Sequence, residues 1–199
     1  FRLHMEAVMS SKRDVVIEQE FRDGASRTKT YQPGSPRSAA LMVGVNELLL
    51  TGADELDRSA STLASETTEA SQAEVAVRQS RRVVVADYRS LDAALLIEVN
   101  QRALANPDEG ERALELVQSG MSPHEVQRVG DSKRLGAARD QIVVARKLLP
   151  ADNAQLVAAE GSVLRYAEAI AHFEKEDGER AQAQRQLDAV RERSDAIYM

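Results

Sequence analysis

Hydrophobic residues recur with a period of seven along the middle of the chain. No proline interrupts residues 38–105, and within this span one apolar column stays in phase over eight positions. A strict repeat of seven is typical of a helix that packs along its length against another helix, with a left-handed supercoil. The column consists of Met42, Leu49, Leu56, Leu63, Ala70, Val77, Val84 and Leu91.

Two kinds of packing partner fit this column. It is either the seam of a coiled coil between chains or the inner stripe of a long bundle helix within one chain. A second column, four residues further on, is apolar at both ends but contains Glu74 and Arg81 in the middle. Thr51-Gly52 is a point at which the helix either bends or ends. We predict that the first column is the seam of a homo-oligomer.

The N-terminal segment has a shorter period. Val15, Ile17 and Phe21 fall on one face of a strand, Asp23-Gly24 supplies a turn, and residues 27–31 can return as a second strand. The pattern predicts a β-hairpin arm, with an unstructured tail as the alternative. Ser35 then provides an N-cap for a helix that has proline at its first position.

The second half of the chain is divided by prolines and glycines. Asn106-Pro107 ends the long helix and begins another, Gly120 is a candidate left-handed C-terminal residue, and Ser122 caps a short helix. After Pro150, a capping box of Asp152 and Gln155 starts the last helix. The apolar stripe of that helix thins over residues 174–186, which we predict to be a solvated arm.

These patterns predict an all-α protein. The predicted segments are an N-terminal tail or hairpin arm (1–34), a long coiled-coil-like helix (35–106), a cluster of short helices (107–150) and a long C-terminal helix (151–199). Hydrophobic residues make up 43% of the chain but aromatic residues only 4%, so Ala, Leu and Val supply most of the packing. This composition favours helix-on-helix packing over a sheet sandwich.

Composition also indicates the cellular compartment of the protein. The absence of cysteine excludes disulfides, thiolate metal sites and a cysteine nucleophile. No apolar run approaches the ~20 residues that a membrane span needs, and the first residues lack the apolar segment of a signal peptide. We therefore predict a cytoplasmic protein with no membrane association.

Little in the sequence points to catalysis. It contains no phosphate-binding glycine loop, no dinucleotide fingerprint and no G-x-S-x-G elbow. His172 lies four residues from both Glu168 and Glu176, and an imidazole with two carboxylates is a possible metal-ligand set. An exposed polar stripe explains the same spacing. We predict a non-enzyme with no catalytic residues, no metal and no cofactor.

The stretch ALELVQSGMSPHEVQRVGDSKRL, residues 113–135, has the apolar spacing and turn glycine of a helix-turn-helix. In such a motif His124, Gln127 and Arg128 would face bases, while Lys133 and Arg134 would approach phosphates. Residues 107–150 nevertheless balance seven basic against seven acidic groups, and the net charge of the whole chain is −6. Nucleic-acid binders usually present a basic face, so a structural joint is the preferred interpretation.

The sequence thus favours a structural or adaptor protein. It would self-associate through the heptad column and contact a protein partner within a larger assembly, the hairpin arm or the acidic C-terminal arm making that contact. The alternative is a dimeric helix-turn-helix regulator that binds DNA through residues 122–134.

Overall fold

The computed structural model describes the backbone of residues 2–30 and 34–198 and the side chains of residues 15–30 and 34–196. Helices account for the regular structure of these residues, among which no strand occurs, so the all-α prediction is confirmed. Within the described ranges, no helix has an apolar stretch long enough to cross a lipid bilayer. In chain order the helices are α1 (Arg2–Thr30), α2 (Pro36–Ala105), α3 (Pro107–Gln118), α4 (Pro123–Arg128), α5 (Asp131–Leu148) and α6 (Ala154–Tyr198).

The chain divides into two compact units. Unit 1 comprises residues 1–70 and 176–199, and unit 2 comprises residues 71–175. Helices α2 and α6 each contribute residues to both units. Each unit therefore combines segments that are far apart in the sequence.

In unit 1, α1 lies antiparallel to the first part of α2. The Phe21 ring is fully buried, and a Cβ atom added to Gly52 would lie 3.5 Å from its Cζ. Further along α1, Thr28 Oγ1 lies 3.2 Å from Asn46 Oδ1, which comes earlier in α2. Gly52 therefore does not interrupt the long helix. It leaves room for an aromatic ring instead.

Helix α1 replaces the β-hairpin predicted over residues 15–31. In a strand Val15 and Ile17 would share a face, but here Val15 is 62% exposed while Ile17 packs against the core of unit 1. The buried positions Phe21 and Ala25 are four apart, which is the spacing of a helix face rather than a strand face. The strand prediction was wrong because the alternation of polar and apolar residues is too short to exclude the helical period. Tyr31 lies outside the described residues.

The second half of α6 completes unit 1. Leu187 and Val190 form a buried cluster with Leu56 of α2, and Ala183 is also buried. The segment 174–186, predicted as a solvated arm, is therefore a continuous part of α6, and Glu176 and Ala183 are buried within it. Its apolar stripe thins because glutamate and alanine, rather than leucine, occupy the buried positions.

Unit 2 contains the larger core. It is formed by residues 71–105 of α2, by α3, α4 and α5, and by residues 154–175 of α6. Leu91, Leu95, Ile142, Leu156 and Tyr166 are among its buried side chains. Aliphatic residues and the rings of two tyrosines, Tyr88 and Tyr166, fill this interior, in keeping with the low aromatic content of the chain.

The junction between α2 and α3 depends on glycine. A Cβ atom added to Gly110 would lie 2.4 Å from the Cβ of Ala103 and 2.5 Å from its Cα. No real Cβ contact is that short, so the first turn of α3 approaches the last turn of α2 at backbone distance. Any side chain at position 110 would push the two helices apart.

Most helices in the structure begin where the sequence predicts. Asn106 Oδ1 accepts from the Asp108 N–H, and Ser122 and Glu125 form a complete capping box. The last helix begins one residue later than predicted, because Asn153 rather than Asp152 accepts from the first free N–H groups. The prediction for Gly120 was wrong. No glycine among the described residues has a positive φ, and Ser119, the C-cap of α3, has a right-handed conformation.

Candidate functional site

The most buried charged group of unit 2 is the guanidinium of Arg134, on α5. This residue is 4% exposed, and its Nε donates to the carbonyl oxygen of Val126 at 3.0 Å. Its Nη2 donates to the carbonyl oxygens of Gln127, at 3.3 Å, and Val129. These carbonyls belong to the end of α4, where no further helical N–H is present to bond them. Arg134 therefore caps the C-terminus of α4 from the neighbouring helix.

The other side of the guanidinium joins a polar cluster. Arg134 Nη1 donates to Asp131 Oδ1 at 2.5 Å and to the Tyr166 hydroxyl oxygen at 3.0 Å. The Tyr166 hydroxyl donates to the same carboxylate at 2.5 Å, and Arg81 donates to its second oxygen at 2.7 Å. Residues of α2, α5 and α6 thus converge on one carboxylate.

The cluster determines the charge state of its members. Burial opposes ionisation of the Asp131 carboxyl, but hydrogen bonds from Tyr166 and Arg81, together with the charges of Arg81 and Arg134, outweigh it and lower its pKa. Burial and the hydrogen bond to Asp131 raise the pKa of Tyr166. At neutral pH the cluster therefore contains a carboxylate, a neutral phenol and two guanidinium groups.

A second tyrosine ties the loop between α3 and α4 to α2. The Tyr88 hydroxyl donates to the carbonyl oxygen of Met121 at 2.5 Å. Burial raises the pKa of Tyr88 to about 12, and the nearby carboxylates of Asp92, Asp140 and Glu125 add to this effect. The hydroxyl therefore remains a hydrogen-bond donor over the whole range in which the protein would be handled. Like the Arg134 guanidinium, the Tyr88 hydroxyl is therefore bonded to a backbone carbonyl oxygen of the same unit.

The structure separates the residues predicted to contact DNA. His124, Gln127, Arg128 and Lys133 are exposed, whereas Arg134 is buried and engaged with carbonyl oxygens. Gln127 Oε1 also accepts from Arg89 Nη2 at 2.5 Å. Arg134 cannot approach a phosphate in this structure. Helix α4, the predicted reading helix, has six residues.

The residues of the predicted oligomer seam, which we call the inner column, face their own chain. In unit 1, Leu56 packs against Leu187 and Val190, with Leu63 beside them. In unit 2, Val77, Val84 and Leu91 belong to the large core. Ala70 is buried as well, while Met42 and Leu49 are half-buried. The arrangement is the in-chain bundle stripe, the alternative that the sequence left open.

The opposite face of α2 in unit 2 is uncovered. Ile97 is 60% exposed and Leu104 is 89% exposed, and they lie about half a turn around the helix from the core residues Val84, Leu91 and Leu95. We call this face the outer stripe. Its seven members, all exposed, are spaced alternately three and four residues apart and are Val83, Ala86, Ser90, Ala93, Ile97, Asn100 and Leu104.

The sequence patterns did not reveal the capping role of Arg134, and they did not reveal the outer stripe. Arginine is rarely buried, so only its position three residues after Asp131, next to a very short helix, could have indicated a capping role. The outer stripe was present in the sequence, but its alanine, serine and asparagine members made it weaker than the inner column. A search for every repeat of three and four would have found it.

Carboxylates gather in unit 1. Ligand atoms of Glu66, Glu176 and Glu179 lie within 4.8 Å of one another, and Glu176 is buried. The set differs from the one considered from sequence, since His172 and Glu168 are exposed and do not belong to it. Carboxylates at this spacing also occur without a metal, and we assign no role to the group.

The chain was compared with models of protein families, with curated proteins and with solved structures, and none of these matches it.

Proposed function

We propose that the protein is a structural or adaptor component, without enzymatic activity, that self-associates and contacts a protein partner in a larger assembly. The observation that carries the proposal is the division of α2 into two faces. Its inner column is covered by the chain's own helices, and its outer stripe exposes apolar side chains such as Ile97 and Leu104. Exposed apolar faces of this kind are typical of protein interaction surfaces.

The use of the buried polar groups supports a structural role. Arg134 bonds the end of α4, and the Tyr166 hydroxyl donates to Asp131. At the end of α5, the carbonyl oxygen of Leu148 accepts from Arg102 Nη2 at 2.8 Å. Each of these bonds fixes one helix to another. Charged groups that stabilise helix junctions favour a rigid frame rather than reaction chemistry.

Unit 1 supplies a second exposed apolar stripe. Leu41, Val45 and Leu48, at positions i, i+4 and i+7 of α2, are 65%, 38% and 51% exposed. Contact with a partner through the N-terminal or C-terminal arm has less support, because both predicted arms are helices that contribute buried residues to unit 1. The inner column is not part of the proposed association surface, because the chain's own helices cover it.

The DNA-binding alternative has less support than association. In its favour, His124, Arg128 and Lys133 remain exposed around a well-capped helix start. Against it, the predicted phosphate contact Arg134 is buried, Gln127 is bonded to Arg89, and the predicted reading helix is less than two turns long.

Sedimentation velocity of the purified full chain over a wide concentration range tests the proposal. We expect a species of at least twice the mass of one chain that gains population with concentration. A single-chain mass at every concentration would contradict self-association and with it the proposed function.

A further inference from the structure

We propose that the outer stripe of α2 is a parallel, in-register dimer seam that is filled by the outer stripe of a second copy of the chain. The inference rests on the proposed function, because it names the surface through which self-association takes place. It differs from the prediction made from sequence, which placed the seam on the inner column.

The geometry of the stripe is that of a coiled-coil seam. Val83, Ser90, Ile97 and Leu104 occupy one position of the heptad, and Ala86, Ala93 and Asn100 occupy the position three residues later. The side chains are exposed at all seven positions, although none of them is charged. The stripe extends for about 32 Å along the helix. Its small residues allow two helices to approach closely.

The polar members of the stripe select a second copy and a parallel orientation. In a parallel, in-register pair, Asn100 faces Asn100 of the other copy, and an amide can donate to and accept from an identical amide. Ser90 meets Ser90 in the same way. In the antiparallel arrangement Asn100 would face Val83 and leave a buried amide without a partner, which is costly.

The charges beside the stripe agree with this orientation. Arg82 directly precedes the stripe, and Asp87 lies five residues later on its other flank. In a parallel pair these two flanking positions approach each other across the seam. Two symmetric Arg82–Asp87 ion pairs would therefore border the interface. The antiparallel arrangement places Arg82 beside neither Asp87 nor another carboxylate on the flank of the stripe.

The helix that carries the stripe is already ordered. Buried side chains from Val77 to Val99 pack this part of α2 into the core of unit 2, so dimerisation does not have to supply the free energy of helix formation. A seam of only three heptads is short for isolated peptides. On a preformed helix, the apolar contacts of Ile97 and Leu104 contribute directly to association.

Single cysteines provide the test, because the chain has no cysteine of its own. The full-length Val83→Cys protein, which keeps Asn100, is treated with diamide, and the product is resolved without reducing agent. Position 83 is far from the middle of the stripe, so two copies of this cysteine meet only in a parallel register. We expect a covalent dimer that forms at least about tenfold faster than in Val143→Cys on α5, since Val83 is 45% exposed and Val143 is 52% exposed.

A second variant tests the surface without a cross-link. Ile97→Glu places like charges opposite each other in the seam, and we expect it to weaken self-association by about 100-fold or more. The matched control is Val143→Glu, because Val143 is 52% exposed and Ile97 is 60% exposed. The control is expected to associate like the unsubstituted protein, and both variants are expected to keep its helical circular dichroism.

The results separate this inference from the proposed function. If the unsubstituted chain dimerises but Val83→Cys cross-links no faster than the control, or Ile97→Glu dimerises normally, the inference is overturned while self-association stands. Positions 86 and 97 face each other only in the antiparallel arrangement, so preferential cross-linking between Ala86→Cys and Ile97→Cys in a mixture of the two would overturn the parallel register. If the unsubstituted chain remains a monomer, both the inference and the proposed function fail.

Discussion

Arg134 Nε donates to the carbonyl oxygen of Val126 at 3.0 Å, and this bond holds the end of α4 to the beginning of α5. The sequence suggested that the same arginine contacts a phosphate. Its burial instead places a permanent positive charge where α4 has carbonyl oxygens without helical partners and where the helix dipole is negative. The α4–α5 junction is therefore stabilised from inside the protein.

Replacing Arg134 with methionine should destabilise unit 2. Methionine keeps most of the apolar stem but removes every donor to the carbonyls of α4 and to Asp131. Since hydrogen bonds to charged groups contribute about 1.5–3 kcal/mol each, we expect the free energy of unfolding to fall by at least about 2 kcal/mol. Urea denaturation followed by circular dichroism measures this change. Arg128→Met, at an exposed position of α4, is the control and should change it by less than about 0.5 kcal/mol.

Replacing Gly110 with alanine should also destabilise the protein. The new Cβ would overlap Ala103, and the strain should exceed the gain in helix propensity, for a net loss of about 1–3 kcal/mol. The matched control is Gly136→Ala in α5, where an added Cβ meets no atom within 4 Å. It should stabilise the protein by up to about 1 kcal/mol. Opposite shifts in melting temperature are expected, and equal shifts would contradict the close approach of α2 and α3.

Asp92 should make the protein less stable as pH rises. Burial raises the pKa of its carboxyl above the ordinary value of 3.8, although the hydrogen bond from Gln141 lowers it. Because the folded state holds the proton more tightly than the unfolded chain, the contribution of Asp92 to stability is present below that ordinary value and is lost as pH rises through the folded-state pKa.

The variant Asp92→Asn removes this dependence. Its amide can still accept from Gln141 Nε2 and can donate to Gln141 Oε1, a buried atom that has no hydrogen-bond partner among the described residues. We expect a higher free energy of unfolding than in the unsubstituted protein at pH 7 and a smaller difference at pH 4. Urea titrations at the two pH values make the comparison. A gain of the same size at both would show that ionisation of Asp92 is not the cause.

The double variant Arg128→Ala/Lys133→Ala separates the two functions considered for the chain. A structural protein with a net charge of −6 should bind a mixed pool of duplex DNA weakly at most, and the variant should behave in the same way. Fluorescence anisotropy at low and at physiological salt measures both proteins. Salt-sensitive binding by the unsubstituted protein that is lost in the variant would favour the DNA-binding regulator.

The sequence was sufficient to predict most of the helices. The inner column from Leu56 to Leu91 has the correct phase, and the starts at Asn106 and Ser122 are chemically specific. The column does not identify its partner, however, because Leu187 in the same chain and a leucine in a second chain would produce the same pattern. Only the folded structure shows that the chain covers this column itself.

The errors have a common physical origin. Asp23-Gly24 is a typical hairpin turn, yet packing of Phe21 against Gly52 favours a helix through the same residues. Arg134 has the sequence signature of a surface cation, but the short helix α4 requires an interior donor. In both places a contact with another helix outweighs the preference of the residue itself: Phe21 packs against a distant part of the chain, and Arg134 bonds the carbonyls at the end of the preceding helix α4.

The most direct test of the account compares the two faces of α2. Light scattering gives the mass and circular dichroism gives the melting temperature of the unsubstituted chain, of Leu91→Glu in the inner column and of Ile97→Glu in the outer stripe. We predict a dimer for the unsubstituted chain, a clear loss of thermal stability for Leu91→Glu, and a folded single chain for Ile97→Glu. A dimer that persists in Ile97→Glu, or an unsubstituted chain that is a monomer at every concentration, would contradict the account.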